Sequence, residues 1–345
     1  AAREAGSGKA RSFELITALK KLCNGPDLLR AMQGKDVQEL PAEVQEALTT
    51  CKQGDTSSSG KLYFLDGLLA GIAQKREKIV IVSNFTETLF MIAEMCKSKS
   101  YGYFQLDGST PVKRRQKLVD QFNDHKSEQW IFLLSSKAGG CGLNLIGANH
   151  LVLFDASWNP GDDAQAMARV WRPGQSQPCH IYRTLSTGTI EEKVFQRQVS
   201  KLALASNVMS ENSSSSTSRS DATASFSARD LRDLFKLRKD TISETHDLLF
   251  CRCSARAASA PRKITVPVDE LNNYEHYDCV ASMTEHDTVL SNARPEVVTF
   301  VFTSRTNVPG LRNTHEISAQ VREENLFEGE DDMEEEDEED DDFLV

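Results

Sequence analysis

A chain of 345 residues, 39% of them hydrophobic, is long enough for two domains or for one large domain with appendages. No run approaches the roughly 18 apolar residues of a membrane span, and the start lacks the apolar core of a secretory signal. The net charge of -11 is uneven: from Glu323 onward there are fifteen acidic residues and no Lys or Arg, so the first 322 residues hold 40 basic and 36 acidic groups, a net of +4. A mildly basic body does not exclude a nucleic-acid partner. Of the eight cysteines, Cys23, Cys51, Cys96, Cys141 and Cys179 are scattered over apolar or loop positions, as in a reduced intracellular protein.

In chain order, Gly6-Ser7-Gly8-Lys9 has the look of part of a phosphate-binding loop. Arg3 stands at the first glycine position, Ala10 replaces the required hydroxyl, and no strand precedes it, so a flexible basic lead-in is the reading. Phe13, Ile16, Leu19 and Leu22 predict a helix over 12–23, closed by Asn24-Gly25-Pro26. A short helical piece follows at 26–32, another at 42–48, and a flexible break at 57–60. Leu62, Leu65, Leu68, Leu69 and Ile72 share one face of a helix over 61–72.

Residues 78–184 alternate strand and helix. Strands are expected at 78–83, 101–106, 131–134, 151–154 and 179–185, and helices at 86–97, from Pro111 through Phe122, and at 164–170. This predicts an α/β fold with an open, mostly parallel sheet and helices on both faces. A helix over 190–206 starts with Glu191 and Glu192, which complement its N-terminus. Residues 207–227, with four consecutive serines, read as a disordered linker. The expected division is an entry segment 1–60, a lobe 61–206, that linker, a small appendage 228–310 with a helix at 228–235 and a strand at 297–303, and a mostly disordered acidic tail 311–345.

Residues 130–175 carry the chemistry. A glycine-rich loop (Gly139, Gly140, Gly142, Gly147) follows one buried strand, and a segment with Gln165, Arg169 and Arg172 follows the next. Placed on a helix, arginines three apart present two guanidinium forks on one face, suited to phosphate oxygens. Taken alone, such a pair reads as surface arginines in salt bridges; the flanking context favours anions at the C-terminal edge of the sheet. Asp162 reads as a cap for the following helix, and Asp107 as the acceptor of a structural hydrogen bond. Further on, His246, Cys251 and Cys253, with His276 or Cys279 fourth, are candidate ligands of a structural zinc, although C-x-C is tighter than the usual spacing. The other reading is a small packed region with reduced cysteines.

Several stretches together resemble one family. Ser83-Asn84-Phe85, Leu106-Asp107-Gly108-Ser109-Thr110, SKAGGCGLNL at 136–145, and Asp163, Gln165, Ala166, Arg169, Arg172, Gly174 and Gln175 follow the motifs of the second recombinase-like lobe of Swi/Snf-class, superfamily-two helicase-like ATPases. ARVWRPGQ at 168–175, TGTIEEKVFQRQ at 187–198 and LFKLRKDTISETHD at 234–247 resemble the recombinational-repair double-stranded DNA translocases in particular. The likeness covers most of 12–253 and, more weakly, 268–303.

The resemblance implies that Arg172 reaches the ATP γ-phosphate, that Arg169 is its companion, and that Gln165 couples beside them. Gly142, with Leu143 and Asn144, would lie between the nucleotide cleft and the DNA track. Ser109, Thr110, Ser135, Ser136 and Lys137 would contact DNA phosphates, Lys137 reading equally as a solvated loop lysine. Helix 189–206 would brace two lobes. ATP and Mg²⁺ would serve the intact two-lobe enzyme, and the implied partners are double-stranded DNA, a strand-exchange recombinase, and histones or nucleosomes at the acidic tail, in the nucleus and away from membranes. The first lobe's phosphate loop and acidic metal pair have no counterpart in these 345 residues. The expectation is therefore a C-terminal fragment or truncated gene model that hydrolyses no ATP alone. Alternatives are a lobe of another Swi/Snf-class chromatin remodeller, or a non-catalytic DNA- or protein-binding module.

Overall fold

Five short apolar runs form one parallel sheet in the computed structural model, which describes residues 2–32, 42–51, 56–140, 142–210, 232–249, 275–277, 287–290 and 293–303. The strands are β1 (Ile79–Ser83), β2 (Tyr103–Leu106), β3 (Ile131–Ser135), β4 (His150–Leu153) and β5 (His180–Arg183), in the order β2-β3-β1-β4-β5. Central β1 pairs Ile79 with Ile131 on one side and with His150 on the other. Strands buried on both faces need no polar alternation, which is why β1 and β3 read as continuous apolar runs and are buried at every position.

The side-chain period of two divides these runs between two cores. Ile79, Ile81, Ile131, Leu133 and Val152 face α4 (Gly60–Lys75) and α5 (Thr86–Ser98), meeting Leu65, Leu68, Leu69, Ile72, Leu89 and Ile92. Val80, Val82, Phe132, Leu134, Leu151 and Leu153 face the other way, onto Leu118, Val119 and Phe122 of α6 (Val112–Asn123) and Ala166 of α7 (Pro160–Met167). The α/β class and its open parallel sheet are as the sequence predicts.

The N-terminal helix α1 spans Ala2–Asn24 and runs through Gly6–Lys9, so the backbone there is helical and not a phosphate-binding loop. Short helices α2 (Pro26–Met32) and α3 (Ala42–Thr50) follow. The expected flexible break at 57–60 is ordered instead. A 3₁₀ turn (Thr56–Ser58) leads to Ser59, whose side chain accepts from the Leu62 amide and caps α4. The same hydroxyl donates to the Asn24 carbonyl at 2.7 Å.

Helix α8 (Ile190–Ser210) continues into the stretch assigned to the linker. Its first-turn acids do more than complement the helix dipole. Glu192 accepts from the Gly188 amide (2.7 Å), the Ser243 hydroxyl (2.9 Å) and the Thr245 amide (2.7 Å), which seats α9 (Glu244–Leu248) against α8. Gly188 has φ +67°, and a Cβ there would meet the Arg238 carbonyl oxygen at 2.0 Å, so only glycine fits this joint.

Glu191 forms a buried ion pair with Lys61 at 2.5 Å, the two side chains 0% and 5% exposed. Lys61 also donates to Asn24 Oδ1 (3.1 Å) and to the Phe154 carbonyl (2.8 Å), while Asn24 Nδ2 donates to Asp155 Oδ2 (3.0 Å) and to Thr88 (3.0 Å). One polar network thus joins α1, α4, α5, α8 and the end of β4.

Part of the range expected to stand apart as an appendage belongs to the main core. Val289 and Ala293 pack with the α4 side chains, and Arg294 lies over the Tyr63 ring (4.5 Å) and 3.4 Å from Asp66. Asp287 accepts from the Tyr182 hydroxyl (2.8 Å) and from the amides of Val289 and Leu290. Burial works to raise its carboxyl; the bonds from His180, the Leu290 amide and Tyr182 outweigh it and hold the group well below the usual carboxylate range. A two-stranded antiparallel pair, β6 (Glu275–Tyr277) and β7 (Val301–Thr303), completes the described elements. The acidic tail and the serine-rich linker after Ser210 lie outside the described residues.

Breaking the Lys61–Glu191 pair from one side leaves a buried charge without its partner, so Lys61→Met is expected to cost about 3–5 kcal/mol in urea unfolding. The double variant Lys61→Met/Glu191→Leu is expected to recover most of that loss. A single variant as stable as the parent would show that the pair is not held in a dry interior.

Candidate functional site

The loops that leave the C-terminal ends of β3, β1 and β4, three adjacent strands, open onto one cleft of about 520 Å³. Open α/β sheets place their ligand crevice at this edge. Asn84 and Phe85 come from the β1 loop, Ser136 and Lys137 from the β3 loop, and Ser157 and Trp158 from the β4 loop; Gln165 and Arg169 close one side, with Phe13 and Lys20 of α1 opposite. The rim is apolar in part, with Phe13 59% and Trp158 40% exposed.

Asp155 is buried behind the lining residue Asn84. Its carboxylate accepts from Asn24, from the Ser83 hydroxyl, and from the Asn84 amide (2.8 Å) and side chain (2.7 Å). Asn84 Oδ1 in turn accepts from the Ser136 hydroxyl at 2.7 Å. The buried network therefore reaches the cleft surface through Asn84 and sets the position of Ser136. Ser135 is buried at the end of β3 and lies beneath this surface.

The arginines are not placed as a helical pair. Helix α7 ends at Met167, with Ala168 as its C-cap, and Arg169 and Arg172 lie in the turns that follow. The expectation of one helix carrying both arginines fails because α7 stops before them: the amides of Arg169, Val170 and Trp171 bond back to Ala166 and Met167 in turns, and the segment bonds onward to the glycine loop. The Leu145 amide donates to the Arg169 carbonyl (3.0 Å), Arg172 Nη1 donates to the Gly142 and Leu143 carbonyls (3.3 Å each), and Gln175 Nε2 donates to the Ala148 carbonyl (2.8 Å). Arg169 lines the cleft, and its Nη1 stands 3.9 Å from where a Cβ on Gly142 would sit; Arg172 Nη1 donates to the carbonyl of that same glycine. Gly142 has φ +45°, the left-handed region that favours glycine. Asn144 is exposed, and its carbonyl accepts from Asn123.

Asp162 is not the cap of α7. Asn159 holds that position, while Asp162 accepts from Ser157 Oγ at 2.9 Å. Asp163 is buried, accepts from the Ser157 amide (3.1 Å) and Gln198 (2.9 Å), and has its carboxyl pushed up by burial. These bonds tie the start of α7 to α8.

Ser109 and Thr110 lie in the turn after β2. Asp107 accepts from the Ser109 amide (2.9 Å) and hydroxyl (2.5 Å) and donates its own amide to Thr110 Oγ1 (3.1 Å). The Ser109 hydroxyl is the main cause that holds the Asp107 carboxyl below its ordinary range. Asp107 is thus a structural acceptor, as its sequence position suggests.

His246 is buried, its ring 4.5 Å from that of Phe300 and 6.4 Å from that of Phe302. Strand β6 pairs His276 with Phe302, so the fold brings the backbones of two zinc candidates to one region. Cys251, Cys253 and Cys279 lie outside the described residues, and no group of three or more candidate ligands occurs among the described ones. No described helix is long and apolar enough to cross a membrane.

Sequence reasoning passed over Asp155, Asn24 and Lys61. The available signal was a lone acid immediately after the fully apolar run Leu151–Phe154; an acid placed there must be solvated by the fold itself.

A parallel sheet with an anion-suited cleft at its C-terminal edge, and an arginine segment laced to a glycine loop, define a helicase-type motor lobe, and residues 60–174 match the helicase conserved C-terminal domain. The chain is related to the Swi/Snf-class, superfamily-two helicase ATPase domains, consistent with a second motor lobe. Similar proteins include the DNA repair and recombination protein RAD54-like of Danio rerio, 42% identical over 309 residues, and that of Homo sapiens, 41% identical over 310, each alignment covering 88% of this chain. The chain spans 41% and 40% of the length of those relatives. The crystal structure of the C-terminal part of the Fun30 ATPase domain is 38% identical, with a TM-score of 0.40, over 45% of this chain and 50% of that one.

Each Arg172 bond to the glycine loop is worth about 0.5–1.5 kcal/mol. Arg172→Ala is therefore expected to speed amide exchange over 142–145 by about tenfold while β1 and β3 stay protected. Unchanged exchange in the loop would show that Arg172 does not hold it.

Proposed function

We propose that this chain is the C-terminal motor lobe of an ATP-dependent double-stranded DNA translocase acting in homologous recombination and DNA repair, in the nucleus, alongside a strand-exchange recombinase. The observation that carries the reading is the cleft, in which Ser136, Lys137, Gln165 and Arg169 converge at the C-terminal ends of adjacent parallel strands. Its support is the 41–42% identity to RAD54-like repair and recombination proteins along most of the chain.

On this reading the guanidinium of Arg169 attracts the phosphates of a nucleotide held at the cleft. Gln165 orients beside them through its side-chain amide. ATP with Mg²⁺ supplies the phosphoryl group that drives the motor, and this lobe contributes charge complementarity to it. Arg172, now on the Gly142 and Leu143 carbonyls, is the arginine for the γ-phosphate, and reaching it means leaving the glycine loop. That exchange of partners links the nucleotide to the loop beside the DNA track. Ser109, Thr110, Ser136, Lys137 and Asn144 contact the phosphates of one strand. Hydroxyls, amides and a lysine carry no base readout, which suits movement over any sequence. The acidic tail offers a surface for basic histone partners.

Duplex binding tests the reading. The 345-residue chain is expected to bind unrelated 30-bp duplexes with equal affinity, and Lys137→Ala to reduce the slope of log K against log salt by about 0.9, the value of one phosphate contact. Affinity confined to one sequence, or free of salt dependence, would sink the proposal.

A structural zinc held by His246, Cys251 and Cys253, with His276 or Cys279 fourth, belongs to the same proposal; the convergence of His246 with the β6–β7 pair supports it. Metal analysis of the full chain is expected to find about one equivalent of zinc, lost on Cys251→Ser/Cys253→Ser. A metal-free, fully folded chain would remove it.

A further inference from the structure

Arg115 sits in the first turn of α6, and its side chain turns away from the helix. Nε donates to the Thr110 carbonyl at 2.9 Å, and Nη1 donates to the Ala138 carbonyl at 3.1 Å. Thr110 ends the turn after β2; Ala138 lies in the 3₁₀ turn Ser136–Gly140 after β3. Strands β2 and β3 are parallel neighbours, so the two turns leave the sheet at the same edge.

Each turn is otherwise ordered from within or from the far side. The first is closed on itself by Asp107, through Ser109 and Thr110. The second is tied to β1 by the Ser136–Asn84 bond. Arg115 supplies the hydrogen bonds that join one turn to the other. A guanidinium is a rigid planar fork, so bonding two carbonyls through Nε and Nη1 sets their separation. It uses two of five N–H donors and leaves its full charge beside Ser109, Thr110, Ser136 and Lys137.

We propose that Arg115 is a positioning residue that locks the Asp107–Thr110 turn to the Ser136–Gly140 turn and so sets the spacing at which their hydroxyls and Lys137 grip phosphates of one DNA strand. The bridging half stands on the geometry alone; the phosphate half rests on the DNA-translocase reading above. Arginine at this position differs in kind from its exposed neighbours Lys113 and Arg114, which can add charge but bridge nothing in the described contacts. A lysine in its place would keep the charge and lose the fork.

The test uses the full chain and three variants: Arg115→Ala, Arg115→Lys, and Lys113→Ala as a charge control. Amide exchange without DNA reads the bridge, and affinity for a 30-bp duplex across a salt series reads its consequence. Both Arg115 variants are expected to speed exchange in 107–111 and in 136–140 together, and to weaken duplex binding by about tenfold beyond the charge control, with Lys failing to rescue. Lys113→Ala is expected to leave exchange in both turns unchanged. Rescue by Arg115→Lys would reduce the residue to a charge and overturn the proposal. Faster exchange confined to α6, or faster exchange in both turns with unchanged affinity, would overturn it too. A parent chain that binds no duplex would refute the DNA reading and the phosphate half with it, while the exchange data would still decide the bridge.

Discussion

The buried network around Asn24, Lys61, Asp155 and Glu191 is the constraint on which the rest of the lobe depends. Two carboxylates and an ammonium sit where β4 ends, each met by a charged or polar partner from a different element. In a low-dielectric interior such groups are costly unless every one is satisfied, so the network tolerates few alternative arrangements. It fixes how α1 and α8 cross the top of the sheet, with Ile16, Ala156, Ile190 and Val194 packed around it. Because it lies at the C-terminal ends of β1 and β4, it also holds Asn84, which lines the cleft.

From this network, order passes outward by side-chain hydrogen bonds. Asp155 holds Asn84, and Asn84 holds Ser136. Asp163 and Gln198 hold the base of the helix that presents Gln165. The arginine segment is held separately, by carbonyls and amides of the glycine loop. The cleft thus has a rigid side set by the core and a side whose shape follows the glycine loop. An element that must respond to a ligand is best built on the second kind of support, since a few weak bonds can be exchanged without disturbing the core.

Much of this was legible in the sequence. Apolar runs marked all five strands, and the three-to-four spacing marked α4, α5 and α6. The motifs led to the family and to the cleft residues Asn84, Phe85, Ser136, Lys137, Gln165, Ala166 and Arg169, and Asp107 before Gly108 read as a structural acceptor. What was misread has identifiable causes. Residues 168–172 keep a helical residue pattern, yet the Arg169 carbonyl accepts from Leu145, twenty-four positions earlier, and the helix stops. Val289 and Ala293 stand in the polar stretch 285–296 with no periodicity to mark them as core. They are buried because α4 offers glycines opposite them: a Cβ on Gly67 would lie 2.7 Å from the Arg294 side chain, and one on Gly71 would lie 3.1 Å from Val289. Arg115 stands in the basic run Lys113-Arg114-Arg115, and nothing local sets it apart from its neighbours.

By itself, then, the sequence determined the layer architecture, the inward faces of α4, α5 and α6, the separation of a basic body from an acidic tail, and the family; on α1 it did not, since Phe13 and Leu22 are exposed. All of these are written in local periodicity, local composition or contiguous motifs. Only the tertiary structure decided that Arg169 lines the cleft while Arg172 donates to the glycine-loop carbonyls, that Asp155, Lys61 and Glu191 are internal partners, and that Arg115 joins two turns. Those outcomes depend on bonds between groups 23 to 131 positions apart, such as Arg115 to Ala138 and Asn24 to Asp155. A residue's local pattern states what it can bond to, but only packing states what stands within 3 Å of it.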